Sequence, residues 1–184
     1  MRKGYVGQIM EKGIVIYKSK YGASKKYADW LRGLTGFDCI EASKAAFESA
    51  KEYGTLIYCG GIYASGIAGL SFLKKNIDRL KGKKIAVLCV GASPYDENAV
   101  NQIKERNLKD ALSGLRLFYA RGAWDEKSMK PVDRTLCRML QKAVAKKDPS
   151  EYEPWQKALM CAAGQKCDWT DPGYLKPLLE YLAV

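Results

Sequence analysis

Three short segments combine hydroxyl, glycine and aromatic residues just after runs of apolar residues. The first, residues 19 to 24, reads Ser-Lys-Tyr-Gly-Ala-Ser and precedes a helical pattern. Backbone N–H groups at the start of a helix bind phosphate, and neighbouring hydroxyls add donors. The spacing matches neither the ATP-binding loop GxxxxGK nor the dinucleotide fingerprint GxGxxG. The segment predicts a site for a terminal phosphate; alternatively, Ser24 caps the helix and Gly22 makes an ordinary turn.

The other two segments each place a tyrosine among small residues. Tyr63 lies within residues 60–66, and Tyr95 lies within residues 91–96. Two aromatic rings can flank a flat heterocycle such as isoalloxazine, while backbone amides in glycine-rich turns bond its polar edge. The alternative is that both tyrosines are ordinary surface aromatics. Together the three segments predict a site for a phosphorylated ligand that carries a flat ring.

An alternation of short apolar runs and amphipathic segments must position these loops. Each of the first four runs is followed by a helical pattern, the third of which spans residues 67–80, and the fifth is followed by a longer, mainly helical region. This order predicts an α/β fold, a doubly wound parallel sheet with helices on both faces and ligands at the carboxyl ends of the strands. The predicted strands are Gly13–Lys18, Phe37–Ile40, Thr55–Cys59, Ile85–Val90 and Leu115–Ala120.

Length and composition favour one compact unit. The chain has 184 residues, of which 47% are hydrophobic, which is enough for one well-packed domain. We expect a single domain over residues 1–184, with residues 1–9 as a flexible extension. The longest apolar runs are too short to span a bilayer, and no secretory signal is evident, which predicts a cytoplasmic protein with reduced thiols.

Charge and the missing residue types narrow the function classes. Thirty-one Lys and Arg against twenty Asp and Glu give a net charge of +11, which favours anionic partners. The cations are spread along the whole chain without a recognition motif, so specific nucleic-acid binding is not expected. The absence of His excludes Ser-His and Cys-His nucleophiles. The six cysteines include no CxxC pair, so no metal site is expected, and Cys59 and Cys89 are interpreted as buried thiols.

The three loops resemble those of the flavodoxin family, over residues 13–183. More narrowly, the chain is similar to the branch that includes the menaquinone-dependent protoporphyrinogen dehydrogenases. That similarity rests on residues 58–63, on residues 120–123 followed by Asp133 and Arg134, and on Asp168 with Trp169. The resemblance implies a flavodoxin-like five-stranded parallel sheet in the order 2-1-3-4-5, with a helical insert, residues 130–168, before the last helix. It also implies FMN as cofactor.

The resemblance further implies which residues hold the cofactor and what the protein does with it. Hydride or electrons would pass between flavin and a redox partner or small-molecule substrate, with a quinone or a porphyrinogen as candidates; no catalytic acid or base stands out. The alternatives are a non-catalytic electron carrier and a flavin-free binding module on the same fold. The phosphate would be held by Ser19, Lys20, Tyr21, Gly22, Ala23 and Ser24, and the ring by Gly61, Ile62, Tyr63, Ala64, Ala92, Ser93, Pro94 and Tyr95, with Gly122, Ala123 and Trp124 beside it.

The insert contains a basic amphipathic segment, residues 134–147. Its cations and its apolar side chains occupy different helical faces. Three interpretations follow: the helix touches an anionic membrane peripherally to meet a quinone, it covers the flavin and binds an anionic substrate, or its apolar stripe packs on the sheet. The basic face carries Arg134, Arg138 and Lys142, and the apolar face carries Leu136, Met139, Leu140 and Ala143.

Overall fold

The computed structural model describes residues 12–183, and residues 1–9, the expected flexible extension, lie outside that range. The described strands are β1 (Gly13–Lys18), β2 (Asp38–Glu41), β3 (Thr55–Tyr63), β4 (Gly66–Ile67), β5 (Lys84–Gly91), β6 (Arg116–Arg121), β7 (Ala123–Asp125) and β8 (Lys166–Asp168). The described helices are α1 (Ala23–Thr35), α2 (Lys44–Ser49), α3 (Leu70–Asn76), α4 (Glu97–Asn107), α5 (Pro131–Val144), α6 (Pro154–Ala162) and α7 (Lys176–Ala183).

The main sheet has the predicted parallel order. Its neighbours run β2-β1-β3-β5-β6, and the two-residue β4 pairs with β3 off this path. Without β4, the five parallel strands follow the order 2-1-3-4-5, so the predicted flavodoxin-like α/β fold is confirmed. β1 lies between β2 and β3, and its Val15 lies opposite Cys39 of β2 and Ile57 of β3.

Both faces of the sheet are covered, which explains why its central strands are continuous apolar runs. Ile16 and Tyr58 face one core, which α2 and α3 cover, while Val15 and Ile57 face the other, which α1 and α7 cover. All four are fully buried. Burying one such side chain contributes about 1.5–3 kcal/mol. The two cores hold the carboxyl ends of the strands in fixed positions. Cys59 and Cys89 are buried, as predicted.

Two boundaries near the predicted site differ from expectation. β3 continues past Cys59 to Tyr63, because Gly60 allows a close approach of the following segment. A Cβ at Gly60 would lie 2.8 Å from the Ala68 carbonyl oxygen. The helix predicted from Ile67 begins only at Leu70, after Gly69 at φ +74°, since Ile67 is taken into β4.

The predicted helical insert ends in a strand. α5 and α6 are helices, but residues 166–168 form β8, which pairs antiparallel with β7. Ala123 lies opposite Asp168, and Trp124 lies opposite Cys167. Three residues are too few to show a periodicity, so this ribbon left no signal in the sequence. Within residues 12–183, no helix combines the length and apolar character needed to cross a bilayer.

Candidate functional site

A cavity of about 360 Å³ opens where the strands end and α5 begins. Its size falls in the range of small-molecule sites. Most of its lining groups are apolar. From the predicted loops it is lined by Ser19, Tyr21, Ala23, Ser24, Gly61, Ile62, Tyr63, Ala64, Ala92, Gly122, Ala123 and Trp124, and it is completed by Val90, Gly91, Met129, Asp133, Leu136, Cys137, Leu140 and Leu159.

The first loop ends in an open helix N-terminus. Gly22 has φ +96°, and its N–H donates to the Ser19 hydroxyl oxygen over 3.1 Å. The Lys26 N–H donates to the Gly22 carbonyl oxygen at 2.9 Å, whereas the preceding N–H groups have no acceptor within their own helix. A Cβ at Gly22 would meet nothing within 4 Å. These free donors beside open space fit a phosphate group.

Ser24 does not cap α1. The capping position is Gly22, which makes no side-chain capping bond, and Ser24 is buried one residue inside the helix. The alternative in which this loop is only a serine-capped turn is therefore wrong. Ser24 lies at the cavity wall instead.

The side chains of Lys20 and Tyr21 turn towards the insert. Lys20 forms an ion pair with Asp133 of α5, and the Tyr21 hydroxyl donates to the same carboxylate. The Lys130 N–H donates to the Tyr21 oxygen over 3.2 Å. The bonds from Lys20 and then Tyr21 hold the pKa of Asp133 below its usual value. The loop that would hold phosphate is thus tied to α5.

Tyr63 lines the cavity beside this tie. Its ring meets the Tyr21 ring edge-on, with centroids 6.2 Å apart, and the Lys20 ammonium lies 5.5 Å from its centroid. A Cβ at Gly61 would lie 3.0 Å from the Tyr63 ring, so glycine is needed for this packing. Burial raises the pKa of Tyr63, which stays protonated. The ring can therefore serve as one wall for a flat ligand.

Tyr95 is placed elsewhere, so the structure does not bring the two predicted ring-stacking tyrosines together. It packs edge-on against Tyr119, with centroids 6.2 Å apart, and lines a separate cavity of about 330 Å³ with Phe118 and Tyr174. The Tyr119 hydroxyl donates to the Ser93 carbonyl oxygen over 2.6 Å, which holds the segment against the edge of the sheet. Among the predicted residues, those that do not line the main cavity are Lys20, Gly22, Ser93, Pro94 and Tyr95.

The indole of Trp124 supplies an unsatisfied donor. Trp124 lies in β7 at the cavity wall, and its Nε1 is buried without a hydrogen-bond partner in the described part of the chain. A buried donor without an acceptor costs about 1–3 kcal/mol. An acceptor on the edge of a bound ring would remove that cost. Together with the open loop, this feature fits a ligand that carries both a phosphate and a polar-edged ring.

The insert contributes cavity residues that were not among the predicted cofactor-binding residues. Leu136, Cys137 and Leu140 of α5 and Leu159 of α6 complete the wall. The only sequence signal was the apolar stripe of α5, and it does not pack on the sheet. Val132, Leu136, Met139 and Leu140 are 70%, 59%, 62% and 43% exposed. The interpretation that this stripe packs on the sheet is therefore wrong.

Polar contacts hold α5 in place instead. The buried Glu126 carboxylate, 6% exposed, accepts from Arg138 Nε at 2.8 Å and from the Gly164 N–H at 3.3 Å. The Arg138 bond holds the pKa of Glu126 below its usual value. Arg134 donates to the carbonyl oxygens of Glu126 and Met129 at 2.9 and 3.0 Å. These contacts tie Arg134 and Arg138 to the segment that precedes α5 and leave the apolar stripe in solvent.

The comparison with protein families agrees with this geometry. A family model described as a flavodoxin domain matches residues 14–152. The chain belongs to the flavodoxin domain family. The match covers the main sheet, the three loops, β7 and α5. It ends before α6 and β8, so the strand that pairs with β7 lies beyond it. A comparison with curated proteins finds no match.

Solved structures similar to this flavodoxin domain are flavoproteins of low sequence identity. A WrbA-like flavodoxin from Agrobacterium tumefaciens is 12% identical, covers 85% of this chain and 99% of its own, and has a TM-score of 0.45. A flavoprotein in complex with FMN from Lactobacillus acidophilus is 14% identical, with coverages of 60% and 92% and a TM-score of 0.41. A Fusobacterium nucleatum flavodoxin bound to flavin mononucleotide is 14% identical, with coverages of 65% and 74% and a TM-score of 0.37.

Proposed function

We propose that this flavodoxin domain is an FMN-dependent oxidoreductase. The observation that carries the proposal is the shared cavity, in which the phosphate-compatible loop, the end of β3 and the insert helix α5 meet. The family and the FMN-bound structures named above support the choice of cofactor. FMN, when bound, exchanges a hydride or single electrons with its partners.

The residues present suit distinct parts of FMN. The free N–H groups at the start of α1 and the Ser19 and Ser24 hydroxyls would hold the phosphate. Tyr63 and the small residues around it would pack against the ring, and the Trp124 Nε1 would donate to its polar edge. Leu136 and Leu140 would exclude water from one side. Asp133 is the carboxylate among the lining residues, and its bonds to Lys20 and Tyr21 disfavour its use as a proton donor.

The substrate in this proposal is a cyclic, mostly apolar molecule. A quinone or a porphyrinogen meets that description, and both follow from the resemblance to the protoporphyrinogen dehydrogenase branch. The apolar wall from α5 supports this class, because it faces the same cavity as the ring-binding residues. Cationic side chains of the insert suit the carboxylates of a porphyrinogen.

A non-catalytic electron carrier is the second candidate. Leu136 and Leu140 line the cavity and are nevertheless 59% and 43% exposed. A flavin there would keep an accessible edge, which is what exchange with a partner protein requires. The two candidates differ in whether a small acceptor is bound before it reacts.

The first experiment tests the cofactor. Protein stripped of bound ligand is titrated with FMN and with riboflavin while flavin fluorescence is followed. We expect FMN to bind at least about tenfold more tightly than riboflavin, about 1.4 kcal/mol, since only FMN engages the helix N-terminus. Binding of neither flavin would contradict the proposal and leave a flavin-free binding module.

The second experiment separates enzyme from carrier. The FMN-loaded protein is photoreduced and mixed with rising concentrations of menadione, and flavin reoxidation is followed by absorbance. An enzyme with a substrate site gives a rate that saturates, whereas a carrier gives a linear dependence. Leu140→Ala should weaken the saturation, while Leu34→Ala, at an exposed leucine of α1, is the matched control.

A further inference from the structure

We propose that the solvent-exposed face of α5 is the docking surface for a small acidic redox protein that exchanges electrons with the bound flavin. The α5 surface is defined here by an apolar centre, Val132, Leu136, Met139 and Leu140, and a cationic rim, Lys130, Lys142, Lys146 and Lys147. The electron exchange rests on the proposed function, whereas the docking does not.

The apolar centre is unusual because these apolar side chains face solvent, while polar side chains of the same helix make the contacts that anchor it. Its four members recur on successive turns and are 43% to 70% exposed. Meanwhile Arg138 and Gln141 point to the buried Glu126 carboxylate. A contiguous exposed apolar patch with a polar rim marks an interaction site. The hydrophobic stripe of α5 is therefore available to a partner.

The charge around this centre selects the chemistry of the partner. Residues 127–166 contain nine Lys and Arg against four Asp and Glu. Lys130, Lys142, Lys146 and Lys147 are exposed. A cationic rim attracts an anionic surface and raises the rate of encounter. The complementary partner is therefore acidic.

The position of the α5 surface links docking to electron exchange. Leu136 and Leu140 belong both to the exposed stripe and to the cavity wall. A partner seated on the stripe would contact the same two side chains that cover the ring-binding end of the cavity. The redox centre of the partner would then face the bound flavin across these two side chains.

An acidic protein fits this surface better than an anionic membrane. The stripe runs only from residue 132 to residue 140, about 12 Å of helix, and it contains no aromatic residue. Nearby Trp155 donates to the Glu153 carboxylate over 2.7 Å, and Asp148 and Glu151 are exposed in the segment that follows α5. A uniformly anionic surface would meet these carboxylates, whereas a folded partner can avoid them.

A second copy of this chain fits less well than either. Packing two α5 surfaces together would bring their cationic rims close to each other, and like charges across an interface oppose association. The size of the stripe instead suits the small interfaces of transient electron-transfer complexes.

The test compares two variants of the α5 surface with two matched controls. Met139→Ser removes an exposed apolar side chain and Lys142→Glu reverses a rim charge; neither residue lines the cavity. Leu34→Ser and Lys75→Glu make the same changes at exposed positions on α1 and α3. The probe is an acidic plant-type [2Fe–2S] ferredoxin. Its binding is measured by calorimetry at low ionic strength, and electron transfer from its reduced form to the FMN-loaded protein is measured by stopped flow.

We expect each α5 variant to weaken ferredoxin binding and to slow electron transfer by about tenfold, and each control to stay within about twofold of wild type. Equal losses in the controls, or no ferredoxin binding by the wild type, would overturn the proposal. The proposal would also be overturned if the α5 variants lost binding to phosphatidylglycerol vesicles while their ferredoxin binding stayed unchanged. That result would assign the surface to a membrane. If the chain binds ferredoxin but not FMN, the docking surface stands and the proposed function fails.

Discussion

Lys20 and Asp133 form an ion pair that joins the first loop to the insert helix across 113 residues of sequence. The Tyr21 hydroxyl donates to the same carboxylate. One side of the cavity is therefore closed by contacts between the phosphate-compatible loop and α5. The following predictions test this arrangement and the residues around it.

Asp133→Asn should speed both the association and the dissociation of FMN, by about threefold to tenfold, while changing the dissociation constant little. The pair is partly exposed, so it contributes little to global stability, but it holds the wall of the cavity in place. Stopped-flow flavin fluorescence measures both rates. The control is Asp29→Asn, which removes the partner of Lys25 within α1. Equal FMN association and dissociation rates in wild type and Asp133→Asn would contradict the role of the Lys20–Asp133 pair in holding the cavity wall.

Gly22→Ala should weaken FMN binding by about tenfold or more and leave riboflavin binding unchanged. Gly22 has φ +96°, and a side chain at positive φ costs about 1–2 kcal/mol. That strain would distort the loop that faces the phosphate. Gly36→Ala is the matched control, because Gly36 ends α1 at φ +70° without touching the cavity. It should lose similar stability in urea unfolding and keep its FMN affinity; a parallel loss of FMN affinity would mean that strain alone explains the effect.

Tyr63→Ala should weaken binding of both FMN and riboflavin by about tenfold, whereas Tyr95→Ala should leave both affinities unchanged. Tyr63 lines the main cavity and Tyr95 lines the other one. An aromatic contact contributes about 0.5–1.5 kcal/mol beyond its buried area. Fluorescence titration of the two variants side by side decides the matter, and the prediction fails if Tyr95→Ala is the more damaging change.

Glu126→Ala should loosen the insert without unfolding the sheet. It leaves Arg138 and the Gly164 N–H without their acceptor. Because the Arg138 side chain is 63% exposed, water can solvate it, and the loss of stability should be smaller than for a fully buried ion pair. Hydrogen exchange should then rise across α5 and α6 and stay slow in β1, β3 and β5. Glu126→Gln, which keeps an acceptor, should be milder. Uniformly faster exchange throughout the chain would show that the insert does not open separately.

Asp168→Asn should destabilise the protein near neutral pH by about 1 kcal/mol or less, with the difference disappearing in acid. Bonds from Thr170 and then Lys26 lower the pKa of Asp168 to about 2. A carboxyl with a depressed pKa stabilises the fold above its ordinary value near 3.8 and loses that contribution as the pH falls to about 2. Because the side chain is half exposed, the contribution is small. Urea unfolding at several pH values from 7 down to about 2, with Asp78→Asn as the control, measures it, and a difference that grows in acid would contradict the assignment.

Local sequence patterns were sufficient for the sheet and for most of the cavity wall. Continuous apolar runs such as Thr55–Cys59 can be buried only between two layers of helices, so they predict a doubly wound sheet and with it the meeting point of the loops. The glycine and hydroxyl residues of the first loop predicted a phosphate site, because phosphate binding at a helix N-terminus depends only on residues that are close together in the sequence. Gly61 to Ala64 were assigned through the resemblance to the flavodoxin family, and they line the cavity as well.

Other features depended on contacts between distant residues. Tyr95 had the right local surroundings, yet Tyr119 packs against it and holds it at the edge of the sheet. One interpretation of the apolar stripe of α5 was that it packs on the sheet, but Glu126 anchors the helix through Arg138 and Gln141 and leaves the stripe exposed. Neither outcome has a local signature, because each is decided by a partner on another element of the fold.

The sequence by itself determined the doubly wound α/β class of the sheet, the loops at the carboxyl ends and the basic amphipathic character of α5, since these follow from periodicity, residue size and charge along short stretches. The strand order came from the resemblance to the flavodoxin family. Only the tertiary structure decided which face of α5 meets the protein, which tyrosine reaches the cavity and how Asp133 ties the first loop to the insert. The physical reason is that side-chain burial and ion pairing depend on neighbours that the fold brings together from other elements, whether 12 residues away, as for Glu126 and Arg138, or 113, as for Lys20 and Asp133.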